Sequence, residues 1–314
     1  MSANQNRVML GAWSWGCGFA GGDQVFGQSL DSEALRPVVA KAVELGLNSF
    51  DTAAVYGAGS SETILGELLS DYPRENLYIS TKFTPQIATD VQNPIVAMFE
   101  ESLKRLKTDY IDLYWIHNSM DVERWTPLVV PLIKEGRIRS FGVSNHSPEQ
   151  LVRVCEILDT YGCKVSAVQN HLSLLHRASI DDGLLDFCHK HDIDFYAYMV
   201  LEQGALTGRF DRTHPMPENS GRGQFYNKYL PALEELNGEL SRIGACHSAS
   251  IAQTATAWAI AKGTIPILGV TKVRQVEEAA GTTKIELTPA EIASLESIAK
   301  KIPMPTLREW EAGA

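Results

Sequence analysis

The sequence predicts an α/β chain folded as a closed (β/α)8 barrel, a TIM barrel. Two observations carry this. Eight short β-rich runs alternate with helical patterns along nearly the whole 314 residues, and several of those runs are apolar almost throughout, as in parallel strands covered on the outside by helices. The length suits one such barrel, so residues 1–314 are read as a single domain. No internal repeat, low-complexity tract or linker divides it.

The strand candidates lie at about 7–10, 47–52, 77–83, 110–117, 138–143, 165–169, 193–199 and 264–268. Between the first two, Leu35, Val38, Val39, Ala42 and Leu45 form a helical stripe with Gly46 placed to end it. Pro37 reads as a first-turn residue or a late start. Ile64, Leu65 and Leu68 define a second stripe. A third, Leu151, Val154, Cys155 and Leu158, follows Ser147-Pro148, an N-cap with proline at the first helical position. Ile251, Thr254, Ala255 and Trp258 make a fourth. Thr288-Pro289 with Glu291 opens an added C-terminal helix over 289–302. The stretch 204–228, rich in Gly, Pro and Arg, breaks the rhythm and reads as a long loop after the seventh strand, without a regular helix.

The bulk numbers bound the function. With 44% hydrophobic and 21% charged residues the chain has an ordinary globular composition. A net charge of −10 argues against nucleic acid and anionic membranes as partners. No apolar run reaches the ~20 residues of a transmembrane helix, and the polar N-terminus lacks a signal-peptide core. Five scattered cysteines without a Cys-x-x-Cys pair give no disulfide framework or metal site. A cytoplasmic location is therefore expected.

Gly16-Cys17-Gly18-Phe19-Ala20-Gly21 matches the dinucleotide-binding pattern G-x-G-x-x-G. That pattern works only where the third glycine opens a helix that meets a pyrophosphate. Here Gly22-Asp23-Gln24-Val25-Phe26-Gly27 reads as loop, with no helical stripe before Asp31, and a flexible or substrate-side loop is the better reading. Cys188-His189-Lys190-His191 reads as a solvated helix end, since its two histidines face different sides of a helix. No metal is expected.

Active sites of such barrels gather at the C-terminal ends of the strands. Four strands there end on reactive groups: Asp51 with Tyr56 just beyond, Lys82, His117-Asn118, and Ser144-Asn145. Phe50-Asp51-Thr52-Ala53 with Tyr56-Gly57, Ser80-Thr81-Lys82-Phe83, Asp112-Leu113-Tyr114 with His117-Asn118, Gly142-Val143-Ser144-Asn145, and Ile265-Pro266-Ile267-Leu268-Gly269 with Gln275 and Glu278 occur in one order. In this ordered set, spanning roughly residues 8–280, the sequence resembles the aldo-keto reductase family.

The resemblance implies NADPH-dependent reduction of an aldehyde or ketone, with Asp51, Tyr56, Lys82 and His117 as a catalytic tetrad. The chemistry agrees independently. Hydride addition to a carbonyl leaves an alkoxide that needs a proton, and a tyrosine is a poor donor-acceptor near neutrality. An ammonium beside it lowers its pKa, Asp51 holds the lysine, and His117 polarises the substrate oxygen. The resemblance further places Ser144, Asn145 and Gln169 on the nicotinamide carboxamide, Tyr198 on the ring face, and Trp13 and Met199 beside the cofactor. Leu201, Gln203, Gly204, Leu206, Gly208 and Arg209 would follow the pyrophosphate. Gly269, Thr271, Lys272, Gln275 and Glu278 would surround the adenosine end, where Lys272 and Arg274 favour NADPH over NADH at a helix N-terminus. The 204–228 loop is placed to fold over the dinucleotide and bring an arginine to a phosphate. Trp15, Phe19, Phe83 and Asn118 are candidates for the substrate pocket.

Two departures stand out. Leu172 stands where the family often has tyrosine, and Ala279 where an asparagine commonly contacts adenine. A second reading keeps the same barrel as an NADP(H)-binding regulatory or channel-associated subunit with little turnover. A barrel lyase or isomerase would lack the 272–278 segment. Substrate, physiological direction and oligomeric state are not written in the sequence.

Overall fold

The computed structural model describes residues 8–305. Eight strands run parallel and are hydrogen-bonded in chain order: β1 (Met9–Gly11), β2 (Ser49–Asp51), β3 (Tyr78–Phe83), β4 (Ile111–Ile116), β5 (Ile138–Ser144), β6 (Ala167–His171), β7 (Asp194–Tyr198) and β8 (Ile265–Gly269). The barrel closes where Met9, Leu10 and Gly11 pair with Ile267, Leu268 and Gly269. Every expected strand is present, although the expected start of the first, at Arg7, lies outside the described residues.

Strand alternation sorts the side chains into two cores. Met9, Leu113, Trp115, Ala167, Tyr196 and Ile267 fill the barrel interior. Their neighbours Leu10, Tyr114, Ile116, Val168 and Leu268 face outward into a larger core shared with the helices. By the same parity Asp51, Ser80 and Lys82 point inward at the mouth. The interior is packed tightly enough to dictate a glycine. Trp115 pairs in register with Gly142 of β5, and a Cβ on Gly142 would meet the Trp115 ring at 2.3 Å.

The helices follow their sequence signals. Ser147 caps Pro148–Asp159 in a capping box with Gln150, and Thr288 caps Pro289–Ala299 in another with Glu291. The latter helix ends three residues before the expected Ile302. Gly46 ends the first barrel helix at φ 76°. That helix corrects the reading of Pro37: it begins at Ser32, capped by the Asp31 side chain accepting from Ala34 N, and carries the proline inside it.

The segment after β7 is also more regular than expected. Ser220 accepts from Gly223 N at 3.1 Å and caps a helix over Gly221–Tyr226. Ala205, Phe210, Met216, Tyr226, Leu230 and Leu233 form a small core of their own beneath it. A strap, rather than an open loop, thus spans the ends of the strands. Local capping and this burial outweigh the unfavourable Gly and Pro content.

Gly142→Ala forces an overpacked contact with Trp115 and Ala167 O. It is expected to cost at least roughly 1–3 kcal/mol, read as a lowered thermal midpoint against wild type. An unchanged midpoint would show that the Trp115 ring yields freely.

Candidate active site

At the C-terminal mouth of the barrel β2 and β3 place Asp51 beside Ser80 in register, with Lys82 two residues on. The Lys82 ammonium is fully buried and donates to Asp51 Oδ2 at 2.6 Å and to the Thr52 carbonyl at 2.7 Å. Asp51 Oδ1 accepts from Ser80 Oγ at 2.6 Å and, across the barrel, from Gln169 Nε2 at 3.1 Å. A buried charge pair is tolerated only with its remaining hydrogen-bonding capacity met, as here.

Above the pair lies Tyr56, its ring 4.9 Å from Lys82 Nζ. The turn that follows it needs glycine. At Gly57, with φ +57°, a Cβ would meet Ser60 Oγ at 2.0 Å and the Cys17 carbonyl at 2.6 Å. Trp13 stacks on Tyr56 at 5.8 Å, and the His117 ring meets it edge-on at 5.6 Å. His117 Nδ1 is 2.9 Å from Thr84 Oγ1. Asn145, at φ 58°, ties the other side together: its Nδ2 donates to the His117 carbonyl at 2.9 Å and its Oδ1 accepts from the Tyr198 hydroxyl at 2.7 Å.

Desolvation sets the protonation of Tyr56 and His117. Burial, then the Asp51 charge, pushes the Tyr56 phenol well above its ordinary value. This reverses the expectation that Lys82 lowers it: desolvation of the phenolate and the Asp51 charge both act upward. Burial, then Lys82, holds His117 well below the usual histidine range. Burial lowers Lys82 too, with Asp51 opposing it. At neutral pH the tyrosine is therefore a protonated phenol and the histidine a neutral ring.

These groups open into a cavity of about 730 Å³ that runs along the strand ends. Asp51, Tyr56, His117, Trp13 and Asn118 line it, with Lys82 buried beneath. Ser144, Asn145, Gln169, Tyr198 and Met199 line it from the ends of β5 to β7, with Leu201, Gln203, Gly204 and Arg209 from the connection after β7. Gly269, Thr271, Lys272, Arg274, Gln275 and Glu278 line it from the end of β8 and the connection and helix beyond. Lys272 there stands at the N-cap of the helix Val273–Thr282.

Other expected residues are not brought to it. Phe83 follows Lys82 on β3, so it points outward and packs against Trp125 at 5.1 Å. Trp15 is wholly buried, its Nε1 donating to the Val270 carbonyl at 2.7 Å. Phe19 is 64% exposed on the surface. Leu206 is buried in the core, and Gly208 lines a separate cavity beside Arg212. Arg212 pairs with Glu234 at 3.2 Å, leaving Arg209 and Arg222 as the strap arginines on the main cavity.

Sequence reading missed several residues. The G-x-G-x-x-G stretch does open a helix, Gly22–Phe26, but of one turn and a half. Phe26 and Gln28 line the cavity from this β1 connection, as do Gln86 and Thr84 from that of β3. Glu202 is fully buried and accepts hydrogen bonds from His171 Nε2 at 2.8 Å, Ser173 Oγ and the Tyr226 hydroxyl. His171 in turn stacks on Tyr198 at 5.4 Å. A carboxylate directly after an apolar strand, in Met199-Val200-Leu201-Glu202, was the available signal. Among the described residues no His/Cys/Asp/Glu group is arranged to hold a metal, and no helix is long and apolar enough to cross a membrane.

The model of the aldo/keto reductase family matches residues 7–300. The chain belongs to that family. It is 31% identical to a chloroplastic pyridoxal reductase of Arabidopsis thaliana over 310 residues, covering 94% of this chain and 83% of that protein. To a methylglyoxal reductase of Escherichia coli it is 30% identical over 266 residues, 84% and 82% of the two chains. Among solved structures, a glycerol dehydrogenase from Gluconobacter oxydans superimposes with TM-score 0.83 at 26% identity, over 98% of this chain and 96% of that one. As a member of the aldo/keto reductases the protein is an oxidoreductase, and the family implies NAD(P)H-dependent reduction of small-molecule carbonyl compounds.

His146, next to Asn145, is 2% exposed and lowered by burial to about 4, with its Nδ1 on the Ser144 carbonyl. Between the unfolded value near 6.5 and about 4 the unfolded chain binds the extra proton, so stability falls as pH drops through this window. The loss is on the order of 3 kcal/mol. Thermal midpoints across pH 7 to 4 should fall steeply in wild type and less steeply in His146→Gln. Parallel curves would place the acid lability elsewhere.

Proposed function

We propose that the protein is an NADPH-dependent carbonyl reductase in which Tyr56 delivers the proton. The observation that carries this reading is the buried Asp51–Lys82 pair packed beneath Tyr56, with a neutral His117 at its edge. A substrate oxygen between Tyr56 and His117 accepts two hydrogen bonds. With Thr84 donating to Nδ1, the histidine proton sits on Nε2 and polarises the carbonyl. The raised phenol keeps its proton until the alkoxide forms, and Lys82, fixed by Asp51, stabilises the phenolate left behind.

The donor set of the cavity fits a nicotinamide dinucleotide. When bound, the reduced cofactor supplies the hydride. Gln169 and Ser144 would take the carboxamide, and Tyr198 the ring face. Asn145, whose amide is already engaged by His117 and Tyr198, would hold those two in position. Arg209 and the strap glycine Gly204 would follow the pyrophosphate. Lys272 and Arg274, at a helix start without a side-chain cap, would take a 2′-phosphate. Arg274 Nη1 is held by Glu278 at 3.0 Å, a surface pair weak enough to exchange for a phosphate.

Tyr56→Phe removes the proton donor and keeps the ring. Carbonyl reduction is expected to fall by at least about 10²-fold, while NADPH affinity, read by fluorescence titration, stays within a few-fold. Near wild-type turnover would remove Tyr56 from the acid role. For the cofactor, wild type is expected to bind NADPH more tightly than NADH, and Lys272→Ala/Arg274→Ala to narrow that gap. Equal affinities in wild type would overturn the NADPH preference. An unchanged gap in the double variant would assign it to other residues.

A further inference from the structure

The cavity is divided by charge according to which strands its lining follows. The connections after β7 and β8 bring Arg209, Arg222, Lys272 and Arg274 to it. Arg209 and Arg222 share the ring of Phe210, at 5.1 and 5.4 Å, and Arg222 Nη1 donates to the Gln203 carbonyl at 3.4 Å, which ties both side chains to residues of the β7 connection. The connections after β1 to β4 surround the Tyr56–His117 pair. Among the described residues they contribute no Asp, Glu, Lys or Arg to the lining: their larger groups are Trp13, Phe26, Val55, Gln28, Gln86 and Asn118.

We propose that the substrate is a neutral, hydroxyl-bearing carbonyl compound with a flat apolar body, and that carbonyl compounds carrying a carboxylate or phosphate are rejected. The inference rests on the carbonyl-reductase reading above. An anion carried to this end leaves its hydration shell without a cation to replace it. Lys82 lies beneath Tyr56 with its charge already matched by Asp51 at 2.6 Å, and burial keeps the His117 ring uncharged.

The neutral groups define what is accepted. Trp13 spends its Nε1 on the Ala20 carbonyl at 3.0 Å and so offers ring surface, flanked by Phe26 edge-on at 5.3 Å. That corner suits a flat apolar body. Asn118 Nδ2 donates to Gln86 Oε1 at 2.6 Å, and Asn118 Oδ1 accepts from Met120 N at 3.2 Å. This pairing orients the Gln86 amide and leaves its Nε2 protons for a substrate hydroxyl, which a neutral amide serves without an opposite charge. Gln86 sits at the exposed rim, so the hydroxyl belongs at the end of the substrate away from its carbonyl.

Matched aldehydes test this: 3-hydroxybenzaldehyde and 3-carboxybenzaldehyde, each assayed with NADPH and each titrated calorimetrically into the NADP⁺-bound protein. The expected kcat/KM for the hydroxyl compound is at least about 100-fold the higher, with the same order in binding. Gln86→Arg, which sets a cation at the rim, is expected to shrink the ratio about 10-fold or more. Equal kcat/KM values and affinities, or a preference for the carboxylate, would overturn the proposal, as would a ratio untouched by Gln86→Arg. Should neither aldehyde turn over while the hydroxyl compound still binds the tighter, the site preference stands and carbonyl reduction is what fails.

Discussion

The Asp51–Lys82 ion pair is the constraint on which the rest of the site depends. Taking a carboxylate and an ammonium out of water costs several kcal/mol for each ion, and their attraction offsets this only in good geometry. The barrel supplies that geometry because parallel register sets β2 and β3 side by side and strand parity turns Asp51, Ser80 and Lys82 inward together. The Thr52 carbonyl and the Gln169 amide take up further capacity. A closed sheet is what lets a β6 side chain reach a β2 carboxylate across the interior. The pair is a poor source of stability compared with an apolar packing of the same volume. Its place beneath Tyr56 is a chemical one.

From that pair the electrostatics of the cavity follow. Because Asp51 and Lys82 cancel locally, the surface above them is close to neutral, and desolvation becomes the dominant influence on Tyr56 and His117. It keeps the phenol protonated and the imidazole uncharged, the forms in which one gives a proton and the other a hydrogen bond. The cations of the lining lie instead on the connections after β7 and β8, with Arg274 paired to Glu278. One acidic chain thus presents a neutral reaction centre and a cationic flank within one cavity, which its net charge of −10 does not foreshadow.

The sequence made the barrel legible because parallel strands buried on both faces read as short apolar runs whose boundaries the helix caps bracket. The polar residues at the ends of β2, β3 and β4 were legible as a set. A lysine at the end of an apolar run is costly without a partner, whereas Asp51 alone could cap a turn and His117 alone could be a satisfied core histidine. Only their occurrence in one order singled them out. Phe83 was misplaced although the parity rule applied to Lys82 would have turned it outward. Trp15 lies on a connection, where no periodicity constrains direction. Its destination is set by a carbonyl 255 positions away, that of Val270. The sign of the Tyr56 shift was also beyond the sequence, since it depends on the depth of burial and on the Asp51 charge.

The strap after β7 shows where composition misleads most. Gly, Pro and Arg argued for an open loop, yet Phe210, Met216 and Tyr226 are spaced so that each falls on the same small core with Leu230 and Leu233. Burying several large apolar side chains at roughly 1.5–3 kcal/mol each offsets much of the cost of ordering such a segment. Its polar anchor is the more telling feature. The Tyr226 hydroxyl and the His171 ring both donate to the buried Glu202, and His171 lies against Tyr198. The strap over the cavity and the wall that bears Tyr198 are therefore fixed to one carboxylate. A displacement of the strap must break a buried hydrogen bond to a charged acceptor, a contact worth about 1.5–3 kcal/mol and more when left unsatisfied. Glu202 takes that position at a positive φ of 47°, a conformation unfavourable for a non-glycine residue. The strain is tolerated because three donors converge on its side chain.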